Sequence, residues 1–226
     1  MGDESPLLSY EEDDDALIPA ASLILKLRGL GISDRHVLNA IETVPRTLFV
    51  PKPWRAQAYA DRSLPIDCGQ SISAPSMVGL MTAALDVSDR HSVLEIGTGS
   101  GYGAAVLSRL ARRVTTIERF RTLVRSAERR WLALGIRNIS AVVADGALGW
   151  SRQAPFDRIL VTAALPAPPV QLFKQLTNSG VLVAPVGPAD GPQLLTLFQR
   201  IGASIDTRDL GPVRFLPIMP GVARNL

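Results

Sequence analysis

The stretch Val93-Leu94-Glu95-Ile96-Gly97-Thr98-Gly99-Ser100-Gly101-Tyr102 constrains this chain more than any other. An apolar run of strand length enters three alternating glycines that open a helix. Glycine is wanted where the backbone must turn sharply and let a ligand approach, because a Cβ would block both. The next apolar run, Val114 to Ile117, ends at Glu118, 21 residues after Gly97. That is close to the separation of about 20 residues at which a carboxylate accepts hydrogen bonds from ribose hydroxyls. The glycines run G-x-G-x-G with Glu95 two residues ahead of the first, and position 102 is Tyr. A dinucleotide pyrophosphate is served by G-x-G-x-x-G instead. The pattern therefore implies a nucleoside site of another kind.

Around this turn, strand-like and helix-like patterns alternate. Ser92–Ile96, Val114–Ile117, Ile139–Val143, Arg158–Thr162 and Val181–Pro185 read as strands. Tyr102–Leu110, Phe120–Leu134 and Val170–Leu176 read as helices, the last stopped by Asn178-Ser179-Gly180. Leu194–Gln199 and Val213–Ile218 read as closing strands. Such alternation predicts an α/β fold with a doubly wound, mostly parallel sheet of Rossmann-like type, with ligands at the carboxyl ends of the strands. Ahead of it, residues 21–75 form a helical prelude. Val37, Leu38, Ile41 and Val44 recur at helical spacing, Ser33-Asp34 offers an N-cap and Pro45 a stop. Pro51, Pro53, Pro65 and Pro75 then mark extended loop before a helix over Ser76–Leu85.

A length of 226 residues, 46% of them hydrophobic, suits one globular domain, expected over residues 21–226. Residues 1–20 are expected to be an acidic, disordered tail. Seven of the 21 acids lie there by Asp15, leaving 24 basic residues against 14 acidic ones in the rest. The single cysteine, Cys68, excludes an internal disulfide, and His36 and His91 stand too far apart for a zinc cluster, so no metal is expected. The acidic N-terminus and the short apolar run Ala16–Leu25, broken by Pro19, read as neither signal peptide nor membrane span, which points to the cytoplasm. The arginines between Arg109 and Arg137 fall on the polar sides of helices without exposed aromatics between them, which argues against nucleic acid as a partner.

The run Glu95-x-Gly97-x-Gly99-x-Gly101 resembles motif I of the class I methyltransferases, and Ala144-Asp145-Gly146 resembles the motif whose acid binds the adenine amino group. Upstream, Leu64-Pro65-Ile66 followed by Gly69-Gln70-Ser71-Ile72-Ser73 and Pro75 is similar to the signature of the protein-L-isoaspartate (D-aspartate) O-methyltransferases. The resemblance runs on through Gly149-Trp150, Phe156-Asp157-Arg158-Ile159, Val161-Thr162-Ala163-Ala164, Val183-Ala184-Pro185-Val186-Gly187 and Val213-Arg214-Phe215-Leu216-Pro217. It covers residues from about 23 to the C-terminus. Ser71 stands where Thr is usual, and Cys68 and Ala144 stand where Gly is common.

The resemblance implies S-adenosyl-L-methionine as cofactor and damaged proteins or peptides as substrates; a monomer is expected. Carried over by position, the active-site hydroxyl is Ser73. Cofactor contacts fall on Gln70 and Ser71, on Gly97, Thr98, Gly99, Ser100 and Tyr102, and on Glu118, Arg119, Asp145 and Gly146. Substrate contacts fall on Ser73, Thr162, Ala163, Val213 and Arg214. The implied reaction esterifies the free carboxylate of L-isoaspartyl or D-aspartyl residues. The alternatives are methylation of aspartate in a dedicated peptide or a small acid, methylation or binding of RNA, and a cofactor-binding module without catalysis.

Overall fold

The computed structural model describes residues 14–223. Its centre is β3 (Ser92–Ile96), buried along its whole length. A mostly apolar strand buried throughout belongs in the middle of a parallel sheet covered on both faces. On one side it pairs in parallel with β4 (Arg113–Glu118), which pairs with β5 (Ile139–Val143). On the other it pairs in parallel with β6 (Phe156–Val161), which pairs with β7 (Leu176–Val186). The antiparallel strands β8 (Gln193–Ile201) and β9 (Ser204–Val213) complete the order β5-β4-β3-β6-β7-β8-β9. The chain leaves β3 for β4 on one side and later returns to lay β6 on the other. That reversal opens a crevice at the carboxyl ends of these strands.

Alternate residues of the strands feed two cores. Val93, Val114, Leu160 and Val183 face α1 (Asp14–Gly29), α2 (Arg35–Thr43), α3 (Pro75–Leu85), α4 (Tyr102–Ser108) and α5 (Arg121–Ala133). Leu94, Ile96, Ile117 and Ile159 face the other side, covered by α6 (Val170–Phe173) and by Trp150. Asp34 caps α2 by accepting the N–H groups of His36 and Val37. Helix α5 buries Leu123, Val124, Ala127 and Trp131, while Arg121, Arg125 and Arg129 are exposed. Each fully buried side chain of this size contributes roughly 1.5–3 kcal/mol. A small antiparallel pair, β1 (Leu64–Pro65) and β2 (Ser71–Ile72), holds the proline-rich loop apart from the main sheet.

The structure departs from the sequence expectations at three places. Helix α1 starts at Asp14, inside the segment expected to be tail: the helix that buries Ala20, Leu23, Ile24 and Leu27 propagates back into it, each added residue gaining a main-chain hydrogen bond. The rest of the expected tail, residues 1–13, lies outside the described residues. Asn178-Ser179-Gly180 does not stop a helix. α6 is already finished at Phe173, and the three residues lie in β7, where Thr177–Gly180 bulge opposite Asp157 between the pairs Phe156↔Leu176 and Arg158↔Val181. The closing strand is Ser204–Val213, not Val213–Ile218. A turn at Gly202, with φ +62°, folds β9 back on β8, and among the described residues beyond Val213 only an isolated bridge between Ala164 and Pro217 remains.

Candidate active site

The turn Gly97–Gly101 leaves β3 at the crevice with all three glycines at positive φ, +99°, +52° and +88°. Gly97 is required by its neighbour. A Cβ there would collide with Oγ1 of Thr162, whose hydroxyl donates to the carbonyls of Ile96 at 3.0 Å and Gly97 at 2.9 Å. Gly99 has a different reason, since a Cβ there would meet only Ile66 Cδ1, at 3.7 Å. Helix α5 fixes the far side of the turn. Arg130 donates to Ser100 O at 3.0 Å and the Trp131 indole N–H to Gly101 O at 2.9 Å.

Glu118, at the end of β4, accepts the Gly99 N–H on Oε2 at 2.9 Å and the N–H groups of Arg119 and Phe120 on Oε1 at 2.8 and 3.1 Å. Three donors pin the carboxylate against the turn while it still lines the cleft. Behind the turn, the Thr98 and Thr116 hydroxyls lie 2.7 Å apart and Thr116 donates to Glu95 Oε2 at 2.6 Å. Burial pushes the Glu95 carboxyl up to about 8; the Thr116 hydrogen bond opposes the rise and the charge of Glu118 adds to it. At neutral pH Glu95 is mostly a neutral acid beneath the glycine turn.

The glycine turn and Glu118 line one cleft of about 730 Å³. Gln70, Ser71 and Ser73 form its wall on the β1–β2 side, Gly97 to Ser100 with Tyr102 its floor, and Glu118, Arg119 and Gly146 a second wall. Thr162, Ala163 and Arg214 border it on the β6 side, where Arg214 also donates to Gly191 O at 3.1 Å. Two expected site residues stand off the cleft. Val213 ends β9 and packs against the core. Asp145 points both carboxylate oxygens at main chain, accepting Ala147 N–H at 2.9 Å and Gly221 N–H at 2.8 Å. The cleft also takes in Phe120, Leu216, Ile218 and Met219, which the sequence reading did not single out. The last three belong to a C-terminal segment that Gln193 holds by two hydrogen bonds to Phe215, accepting its N–H at 2.7 Å and donating to its carbonyl at 3.2 Å.

A mostly parallel sheet reversing at a glycine turn, with an acid on the adjacent strand end, is a nucleoside-binding arrangement, and the shared fold of a solved methyltransferase makes the molecule a class I methyltransferase. The model of the family protein-L-isoaspartate(D-aspartate) O-methyltransferase matches residues 19–223, and the chain belongs to that family. It is 52% identical over 204 residues to the protein-L-isoaspartate O-methyltransferase of Maricaulis maris, covering 90% of this chain and 95% of that one. Its identity to the Rhodospirillum centenum protein of the same name is 54% over 202 residues, covering 89% and 91%. A solved protein-L-isoaspartate O-methyltransferase superposes with a TM-score of 0.80 at 29% identity, over 88% of this chain and 65% of that longer one. A Plasmodium falciparum structure assigned to the same enzyme class, in complex with S-adenosyl-L-homocysteine, shares the fold with a TM-score of 0.76 at 23% identity, over 88% of this chain and 97% of that one.

Proposed function

We propose that this protein transfers a methyl group from S-adenosylmethionine to the free carboxylate of L-isoaspartyl, and also D-aspartyl, residues in damaged proteins, initiating their repair. The observation that carries the reading is the placement of Ser73, on the acceptor loop, in the same cleft as the glycine turn and Glu118. The residues fit the cofactor: Glu118 is fixed by three N–H donors with its carboxylate on the cleft wall, and Gly99 leaves the space beside it open. Glu118 would hold the ribose hydroxyls, and the main chain of Gly97 to Ser100 would pack against the rest of the nucleoside. When bound, the cofactor supplies an electrophilic methyl group on a sulfonium.

A carboxylate is ionised at neutral pH and is itself the nucleophile, so no general base is needed. What remains for the protein is orientation and exclusion of water. Ser73 donates a hydrogen bond that aims the acceptor carboxylate into the cleft. Thr162 contributes shape rather than a hydrogen bond, because its hydroxyl is spent on Ile96 and Gly97. Arg214 at the rim and the apolar segment Leu216–Met219 receive the flanking peptide. No helix among the described residues is long and apolar enough to cross a membrane. The reading takes the enzyme to be a cytoplasmic monomer acting on protein rather than nucleic acid.

The test is transfer of labelled methyl to a short isoaspartyl peptide, with its normal aspartyl twin as control. Labelling of the isoaspartyl peptide alone is expected. Cofactor binding without labelling of either peptide would overturn the acceptor assignment.

A further inference from the structure

The first short turn after α2, Arg46–Phe49, begins with an arginine of zero solvent exposure. Its Nε donates to Ala58 O at 2.8 Å and its Nη2 to Ser73 O at 2.7 Å. Its Cζ lies 4.9 Å from the ring centroid of Tyr102, which Phe49 meets edge-on at 5.5 Å. Tyr102 is the residue that follows the glycine turn and opens α4. One planar guanidinium thus bears on the acceptor loop and on the cofactor turn together.

We propose that Arg46 is a positioning residue for methyl transfer, setting Ser73 against the cofactor turn. Packing alone does not account for it. A buried guanidinium is costly, and an apolar side chain of similar volume would fill the space. What the guanidinium adds is a rigid fork with two fixed donor directions. Burial lowers the Arg46 pKa, while Tyr102 and Asp61 favour its charged form. Asp61 also accepts the Ser76 N–H at 2.9 Å, just beyond the acceptor loop. The Ser73 carbonyl is therefore fixed, whereas its hydroxyl makes no hydrogen bond among the described residues, and the residue lines the cleft. A held backbone with a free hydroxyl is the arrangement that orientation of an acceptor requires.

The inference rests on the carboxylate methylation proposed above, and a double-mutant cycle tests it. Arg46→Lys keeps the charge and loses the fork, and Arg46→Met loses both. Each is combined with Ser73→Ala and assayed with the isoaspartyl peptide, alongside binding of S-adenosylhomocysteine. A misplacement near 1 Å lowers a rate on the order of 100-fold, and R46K is expected to lose kcat by that order with peptide KM and S-adenosylhomocysteine affinity unchanged. In the S73A background R46K is expected to lose nothing further, because the hydroxyl it positions is gone. Additive losses, or affinity for S-adenosylhomocysteine falling in step with kcat, would overturn the proposal. Failure of both Arg46 variants to fold would assign the residue a structural role and overturn it too. A wild-type enzyme inactive on the peptide would instead overturn the functional reading, and this inference with it.

Discussion

The main-chain N–H of Gly99 donates to Glu118 Oε2 at 2.9 Å, across the gap between the ends of β3 and β4. The acid expected to hold a ribose thus also braces the glycine turn, so cofactor contact and loop shape depend on one carboxylate.

Glu118→Gln replaces an acceptor-only group by an amide whose NH2 must confront one of the three main-chain donors. Hydrogen bonds to a charged group are worth about 1.5–3 kcal/mol, so affinity for S-adenosylhomocysteine is expected to fall about 10- to 100-fold. Isothermal titration checks this, with retained affinity as the contrary result.

Two glycines in the same turn are expected to behave differently. Alanine at 97 needs a positive φ and runs into the Thr162 hydroxyl, whereas alanine at 99 meets only Ile66 at 3.7 Å. The left-handed conformation costs roughly 1–2 kcal/mol at either site. Gly97→Ala is expected to lower the urea midpoint well beyond Gly99→Ala, while Gly99→Ala is expected to act mainly on cofactor affinity.

The cofactor end of the molecule was legible in the sequence because its signals are local. Ser92–Ile96 and Ile139–Val143 are strands to the residue, since short, mostly apolar runs rich in Val and Ile between polar breaks suit strands. Glu118 ends β4 beside the glycine turn, as its separation from Gly97 leads one to expect. Strand β9 was missed because Asp206, Arg208 and Asp209 interrupt its apolar residues on an exposed edge. The bulge in β7 uses the same Asn-Ser-Gly letters that end helices. Arg46 and Gln193 carry no signal at all. Their partners lie 27 and 22 residues away and meet only once the fold exists.

Glu95 predicts a pH dependence. Its carboxyl is raised from the usual 4.5 to about 8, chiefly by burial, so the folded state binds a proton that the unfolded state releases. Its contribution is complete below about pH 4.5 and is lost as the pH rises to about 8, on the order of a few kcal/mol. Glu95→Gln cannot ionise and still accepts from Thr116. Its stability advantage over wild type is expected to widen between about pH 5 and about pH 8 in chemical denaturation; a gap that stayed constant would count against a raised carboxyl.

Gln193 is buried and pairs with both main-chain groups of Phe215. Gln193→Leu preserves bulk and frees the C-terminal segment. Peptide KM is expected to rise about tenfold for the loss of roughly 1–1.5 kcal/mol of hydrogen bonding, with cofactor affinity unchanged. Equal effects on both ligands would show that the segment serves the whole cleft.

The acceptor loop hangs on the β1–β2 pair and the helical prelude, not on the strands that carry the glycine turn. The two ends of the cleft therefore stand on different supports, joined through Arg46. Changes in the segment after β9 can alter the acceptor without touching the β3–β4 turn, whereas changes within residues 61–75 also reach the expected cofactor contacts Gln70 and Ser71. Divergence in substrate does not have to be accompanied by divergence in the methyl donor.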